Sequence, residues 1–225
     1  MTELEPFIWL LVFVISVTAH EAAHAWAAYL GGDETAYLGG QVSLNPIPHM
    51  RREPLGMVVF PLITVLTRGF PMGWASTPFD PAWEERYPRR AAWMAAAGPG
   101  ANFAIALGSL LLLRAGLWLG FFFVPDSPDY ARMVAGDVDW IDGMGRFVSM
   151  MLVMNTILCL LNLIPFPPLD GASVITLILP DELALRFRQT LRQPGLALVG
   201  LAAVWFGFGY IARPVLGAVV RLVYA

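Results

Sequence analysis

Long apolar runs separated by polar stretches dominate the pattern along this chain. The apolar runs cover residues 7–30, 55–71, 91–123, 145–165 and 195–222. Four of them reach the roughly 18 apolar residues that a helix needs to cross a lipid bilayer. The run 55–71 is shorter and contains Pro61, so we predict a re-entrant or interfacial segment there. The pattern therefore predicts four transmembrane helices.

Composition supports a membrane-embedded protein. The chain has 225 residues, of which 57% are hydrophobic and 14% charged, and its formal net charge is −3. This length and hydropathy fit one membrane domain, which we place over residues 1–225. The slightly acidic balance offers no basic surface for nucleic acid. We predict a protein that contacts the lipid bilayer and binds no nucleic acid.

A polar motif interrupts the first apolar run. The sequence H-E-A-A-H places His20, Glu21 and His24 inside a predicted transmembrane helix. Ionisable residues are costly in lipid and therefore indicate a functional site. Residues four apart share one helix face, so both imidazoles can bind one metal ion, and Glu21 can reach a water there. Structural histidines hydrogen-bonded between helices are the alternative, which the three adjacent ionisable groups disfavour.

A third metal ligand is expected, because catalytic zinc takes three protein ligands and keeps a fourth position open. The strongest candidate is Asp170 in N-L-I-P-F-P-P-L-D-G, residues 162–171. The prolines of this segment break the helix, and irregular backbone at a span end requires cover by protein or a wet cavity. An ordinary Asp-Gly turn explains Asp170 taken alone. His49 and Asp33 are weaker candidates for the third ligand.

These motifs together resemble the site-2 protease family of intramembrane zinc metalloproteases. The resemblance runs in family order over about residues 17–171 and is closest to the compact bacterial branch without PDZ or CBS domains. The segments that carry it are H-E-A-A-H-A-W-A-A, G-G-Q-V-S-L-N-P-I-P-H, G-W-A-S-T-P-F-D-P, A-A-G-P-G-A-N-F-A-I-A-L and N-L-I-P-F-P-P-L-D-G.

The resemblance implies a role for each matching residue. His20, His24 and Asp170 would bind one catalytic Zn²⁺, and Glu21 would be the general base. Asn162 matches an asparagine that is thought to position substrate or stabilise the oxyanion. The catalytic core would cover about residues 7–171, with the last span at 195–222.

The activity implied is that of a zinc-dependent metalloendopeptidase that cuts within or near a transmembrane segment. The expected partner is a single-pass transmembrane protein, such as an anti-sigma factor or a remnant signal peptide, and the expected location is the bacterial cytoplasmic membrane. A catalytically inactive metal-binding scaffold and an ion transporter are the alternatives. Glu21 argues against the scaffold, and the lack of visible internal repeats argues against the transporter.

The sequence departs from the family pattern at two places. The family often has an acidic residue and a proline soon after the histidine of N-P-I-P-H, where M-R-R-E-P intervenes here. It also often has a basic residue after G-W-A, where this chain has Ser76. Both places lie outside the expected metal ligands, so they concern loop packing and substrate preference.

Zinc binding constrains the membrane topology. His24 lies about 9 Å before the end of the first run, and Asp170 lies just past the end of the fourth, so both ends must face one side. An even number of crossings separates them only if 55–71 does not cross. With the N-terminus outside, the arginine-bearing stretches 31–54, 72–90 and 180–194 fall inside and the acidic stretch 124–143 falls outside. We predict an active site toward the cytoplasmic side.

A substrate helix must unwind before its amides become accessible. The stretch A-Y-L-G-G-Q-V-S-L, residues 36–44, could form an edge strand that pairs with the unwound substrate. A surface hairpin without this role explains the stretch equally well. The predicted fold is thus an all-α polytopic membrane protein with about four spans, the re-entrant or interfacial segment 55–71 and a short β-hairpin near the active site.

Overall fold

Four long helices and several short ones make up the computed structural model, which describes residues 4–191 and 195–225. A π-helical turn, Leu55–Val59, precedes the fourth helix, and a 3-10 turn, Ile175–Leu177, follows the eighth. In chain order the α-helices are α1 (Glu5–Leu30), α2 (Thr35–Leu38), α3 (Pro46–Arg52), α4 (Phe60–Arg68), α5 (Pro81–Arg86), α6 (Pro88–Trp118), α7 (Asp139–Asn162), α8 (Gly171–Val174), α9 (Asp181–Leu191) and α10 (Leu196–Tyr224).

The helices α1, α6, α7 and α10 are long and apolar enough to cross a membrane. The shortest, α7, has 24 residues, which span about 36 Å and exceed the roughly 30 Å hydrocarbon core of a bilayer. The all-α polytopic fold with four apolar helices is therefore confirmed. The helix α6 packs on both α1 and α7 and forms the centre of the bundle.

The helix α10 lies at the edge of the bundle. It packs against α6 and α7, while Trp205, Phe206 and Tyr210 remain exposed. Large apolar side chains on the outside of a spanning helix are expected where the solvent is lipid. At its other end the Tyr224 hydroxyl donates to the Met133 carbonyl at 2.7 Å. The C-terminal end of α10 therefore lies beside the connection between α6 and α7.

The segment after α3 runs along α1 and returns. The helix α4 ends at Gly69, whose positive φ of 73° permits a sharp reversal of the chain. The centre of the Phe70 ring, just after this turn, lies 5.0 Å from the centre of the Trp9 ring of α1. The chain comes back to Thr77, whose hydroxyl contacts Glu21. Twelve residues of α1 separate these contacts, about 18 Å. This path enters and leaves at one end of α1, as a re-entrant segment requires, and its depth in lipid stays a prediction.

The β-hairpin expected over residues 36–44 is not confirmed. Residues 35–38 form the single turn of α2, because the Asp33 carboxylate accepts hydrogen bonds from the backbone N–H and hydroxyl of Thr35 at 2.9 and 2.6 Å. Gly40 then turns the chain with a φ of 72°. Among the described residues the one isolated β-bridge joins Phe123 and Ala135, in the connection between α6 and α7.

Candidate active site

Three side chains converge at one point beside α6. His20 Nε2 and His24 Nε2 lie 2.9 Å apart, and Asp170 Oδ2 lies 3.1 Å from the first and 3.3 Å from the second. Tetrahedral zinc with bonds of about 2.0–2.2 Å places its ligand atoms roughly 3.3–3.6 Å apart. Displacements of a few tenths of an ångström therefore fit the three atoms around one ion. The structure brings together the three residues that the sequence predicts as ligands.

The protons around this cluster support a cation at its centre. His24 Nδ1 lies 2.8 Å from the Met94 carbonyl, which can only accept, so this nitrogen carries the proton. His20 Nδ1 lies 2.6 Å from Asn102 Oδ1 and donates in the same way. With the proton on Nδ1, each Nε2 would offer its lone pair to a metal ion when the ring is neutral, beside Asp170 Oδ2, which has no hydrogen-bond partner. A proton or a metal ion at the centre is needed to hold such a cluster together, and two imidazole nitrogens with one carboxylate oxygen are ligands that zinc takes.

Backbone geometry delivers Asp170 to the histidines. The end of α7 at Asn162 is followed by an irregular segment that contains three prolines. At Gly171 a Cβ atom would lie 2.4 Å from the carbonyl oxygens of Leu163 and Ile164. Only glycine permits this close approach of the chain to the end of α7. Gly171 is thus a requirement of the turn that aims the Asp170 carboxylate at the histidines.

Gly98 gives the histidines their space. A Cβ atom on Gly98 would lie 2.3 Å from His24 Nε2 and 2.6 Å from His20 Nε2. Any side chain at this position of α6 would clash with the two Nε2 atoms that would hold the metal. The segment A-A-G-P-G-A-N carries the family resemblance, but the sequence alone does not reveal this steric role. A glycine in an otherwise apolar helix is the signal for such a close approach.

Glu21 is buried next to the cluster and is held by a threonine. The Thr77 hydroxyl donates to Glu21 Oε2 at 2.7 Å and also lies 3.0 Å from the Glu21 backbone oxygen. Sequence reasoning missed Thr77, because the contact joins two segments 56 residues apart. Thr77 therefore fixes Oε2 of Glu21, and the other carboxylate oxygen, Oε1, is not engaged by this hydrogen bond.

A cavity of about 860 Å³ opens over these residues. Its walls come from α1, the extended segment 73–79, the start of α6, the end of α7 and α10. Asn162 lines it, but its amide nitrogen donates to the Leu158 carbonyl of its own helix at 3.1 Å. The role of Asn162 therefore stays a prediction. The side chains lining the cavity near the cluster are Val17, His20, Glu21, His24, Trp74, Thr77, Met94, Asn162, Asp170, Leu201 and Val204.

The two weaker ligand candidates lie outside the cluster. His49 is buried, and its Nε2 donates to the Ser43 carbonyl at 3.0 Å. Both carboxylate oxygens of Asp33 accept hydrogen bonds, and Oδ2 takes the backbone N–H of Asp80 at 2.9 Å. Burial alone would raise the pKa of Asp33, but the donors from Thr35 and Asp80 hold it below its ordinary value. Asp33 therefore joins the end of α1 to the start of α5.

The two departures from the family pattern contact each other. The Ser76 hydroxyl donates to the Glu53 carboxylate at 2.5 Å, and the Ser76 carbonyl accepts from Arg52 Nε at 3.2 Å. Gln41 Nε2 donates to the same carbonyl at 3.4 Å. These contacts anchor the residue next to Thr77, so loop packing beside Glu21 depends on them.

A helical membrane bundle around a buried glutamate and a His–His–Asp cluster has the arrangement of a membrane-embedded zinc metallopeptidase. The chain belongs to peptidase family M50, the site-2 protease family, whose model matches residues 8–204. The predicted family and the zinc cofactor are therefore confirmed, and the protein is an integral membrane protein.

Two relatives carry names of the same kind. The chain is 30% identical over 217 residues to "Putative zinc metalloprotease YwhC" of Bacillus subtilis, which covers 96% of this chain and 88% of the relative. It is 24% identical over 163 residues to "Putative zinc metalloprotease Rip2" of Mycolicibacterium smegmatis, which covers 72% of this chain and 54% of that relative. No solved structure matches the chain significantly.

Proposed function

We propose that this protein is an intramembrane protease that hydrolyses a peptide bond within or near the transmembrane segment of a membrane protein, as in regulated intramembrane proteolysis. One observation carries the proposal: a buried glutamate lies beside the metal cluster on a helix of spanning length, below a cavity of about 860 Å³. An inactive scaffold needs the three ligands but has no need of a base beside them.

The residues divide the chemistry between them. When bound, zinc supplies the Lewis acidity that polarises a peptide carbonyl and makes water nucleophilic near neutral pH. Glu21 takes the proton from the attacking water and delivers it to the leaving amine. Asn162 is the candidate donor to the developing oxyanion, and the loss of such a donor typically costs about two to three decades in rate.

Thr77 orients the base, and its hydroxyl can be tested alone. We expect Thr77→Val to lower kcat by about 10- to 100-fold, because a hydrogen bond to a charged group contributes about 1.5–3 kcal/mol. KM and zinc content should stay unchanged. Thr77→Ser keeps the hydroxyl and should retain most of the activity. Steady-state kinetics in detergent micelles measure the difference, and equal kcat values for the two variants would remove Thr77 from the mechanism.

The extended segment 71–80 takes the place of the predicted strand as the surface for an unwound substrate. The N–H groups of Met72 and Trp74 donate to Thr64 and Gly56, and the Ser76 carbonyl accepts from Arg52. In an extended chain, alternate peptide groups point in opposite directions. The peptide groups that lie between the bonded ones of Met72, Trp74 and Ser76 therefore point the other way and face away from Thr64, Gly56 and Arg52. Residues 73–77 line the cavity, which supports pairing of a substrate backbone along this edge.

The substrate class follows from access to the site. The cluster lies between spanning helices, so a single-pass membrane protein must enter sideways and unwind. We expect replacement of Gly or Pro near the scissile bond by Leu to slow cleavage by about a decade for each 1.4 kcal/mol restored to the substrate helix.

Cleavage of such a substrate by the purified protein in proteoliposomes measures this effect. The same replacement three helical turns away from the scissile bond is the matched control. Equal cleavage of both substrates, or preferred digestion of soluble casein, would contradict intramembrane cleavage.

The side of the membrane is a further part of the proposal. We place the active site toward the cytoplasm of a bacterial membrane, with the connection 119–138 outside. In a Cys159→Ser background, Ser127→Cys should react with an impermeant thiol reagent added to intact cells, and Ala82→Cys should react only after permeabilisation. Both reporter positions are exposed. Labelling of both from the same side would contradict the four-span topology.

A further inference from the structure

We propose that Asn102 and Asn155 are positioning residues for zinc, because they fix which nitrogen of His20 carries the proton. His20 Nδ1 lies 2.6 Å from Asn102 Oδ1, and Asn102 Nδ2 lies 2.8 Å from Asn155 Oδ1. Asn102, Asn155 and Ser16 are all fully buried. They come from α6, α7 and α1, so three spanning helices meet at this network. The inference rests on the zinc site and does not depend on proteolysis.

Backbone carbonyls fix the orientation of both asparagine amides in this network. Asn155 Nδ2 lies 2.9 Å from the Met151 carbonyl and 2.9 Å from Ser16 Oγ. Because a carbonyl can only accept, the Asn155 nitrogen must face Met151, and its Oδ1 must face Asn102. Asn102 then donates through Nδ2, which also reaches the Ser16 carbonyl at 3.3 Å. Its Oδ1 is left to face His20.

The consequence reaches the metal through one ring. An acceptor at His20 Nδ1 keeps the proton on that nitrogen, so the lone pair lies on Nε2, the atom that faces His24 and Asp170. A flip of the Asn102 amide would place a donor against Nδ1 and favour the wrong tautomer. Partners of this kind typically change metal affinity by about 10- to 100-fold. The tautomers of the two histidines are thus fixed in different ways: a backbone carbonyl fixes that of His24, and a chain of hydrogen-bonded side chains fixes that of His20.

The histidines of this chain provide an internal contrast. The sequence has three, and the third, His49, donates through Nε2 to the Ser43 carbonyl. The structure therefore assigns the Nδ1–H tautomer to His20 and His24 and the Nε2–H tautomer to His49. In the zinc-loaded, full-length protein labelled with ¹⁵N-histidine, NMR should show two rings with protonated Nδ1 and metal-bound Nε2, and one with protonated Nε2. A His20 ring bound through Nδ1, or protonated on Nε2, overturns the proposal.

Zinc affinity tests the coupling through the amides. We expect Asn102→Leu to weaken zinc binding by about 10- to 100-fold. Asn155→Leu should weaken it less, because the Ser16 carbonyl still holds Asn102. If Asn155 acts through Asn102, the double variant should bind zinc as Asn102→Leu does. Competition with a chromophoric chelator measures the affinities of the purified proteins.

The control is Ser149→Ala, a fully buried polar residue of α7 that contacts Gly145 and Met133 and is expected to leave zinc affinity unchanged. The proposal is overturned if the losses of zinc affinity in the two single variants multiply in the double variant. It is also overturned if Asn102→Leu binds zinc within threefold of wild type. If Asn102→Leu does not fold, the wild-type NMR spectrum and Asn155→Leu decide the question. A wild-type protein that binds zinc with these tautomers but cuts no substrate contradicts the proposed function alone.

Discussion

The Glu21→Gln variant is expected to keep its zinc and to lose two to four decades of proteolytic rate. A positioned general base typically contributes about 10²- to 10⁴-fold, and an amide cannot accept the proton of the attacking water. The metal should remain because Glu21 is not one of the three converging side chains proposed as ligands. The amide oxygen can still accept the Thr77 hydrogen bond, so the local structure is preserved. Zinc content and cleavage rate are measured on the same purified sample.

Glu34→Gln is the matched control, because Glu34 is exposed and lies outside the cavity. It should cut at the wild-type rate. Turnover of Glu21→Gln near that rate would remove Glu21 from the role of base. The inactive variant should also retain bound substrate, so crosslinking followed by mass spectrometry can identify the protein that is cut.

The spans were predictable from hydropathy, but their ends were not. The run 145–165 corresponds to α7, which begins earlier, at Asp139. Asp142 pairs with Arg146 and Arg132 at 2.8 Å, so charged residues that lower hydropathy are stabilised within the helix. The run 91–123 extends past α6, because the chain turns at Gly120 with a φ of 76°. Hydropathy reports transfer to lipid and does not detect paired charges or turns.

The convergence of the three predicted ligands could be foreseen, because one ion would impose a fixed chemistry and spacing on them; their binding of the ion stays a prediction. His20 and His24 follow from helical periodicity, and Asp170 follows from the need for a third ligand. Asn102 and Thr77 were not found, because their contacts join segments that are 82 and 56 residues apart. An asparagine within an apolar helix was the available signal for Asn102. The hydroxyl of Thr77 gave no comparable signal in a loop.

The strand predicted at 36–44 is not confirmed, and the reason is local. Alternation of apolar and polar residues there is weak, and the hydrogen bonds from Thr35 to Asp33 favour a helical turn. The extended chain lies instead at 71–80, where Pro71 and Pro78 obscure any strand pattern. Its conformation depends on Thr64, Gly56 and Arg52, so it could not be predicted from the segment itself.

The Asp170→Asn variant is expected to bind zinc at least about 100-fold more weakly than wild type and to lose activity at limiting zinc. Partners outside the ligands typically change affinity by about 10- to 100-fold, so the loss of a ligand charge should cost more. Two neutral imidazoles and one carboxylate leave a Zn²⁺ site with one net positive charge. With asparagine the site holds two, which is costly among buried groups.

His49→Ala is the matched comparison, because His49 is buried, is the remaining histidine and lies outside the cluster. Its zinc affinity should stay within about threefold of wild type, since removal of its ring breaks the hydrogen bond with the Ser43 carbonyl and removes buried packing but touches none of the three ligands. Chelator competition on the folded fraction of each variant gives both affinities, which separates metal loss from any loss of stability. A severe effect of His49→Ala together with a mild effect of Asp170→Asn would assign the third ligand to His49 and remove Asp170 from the metal site.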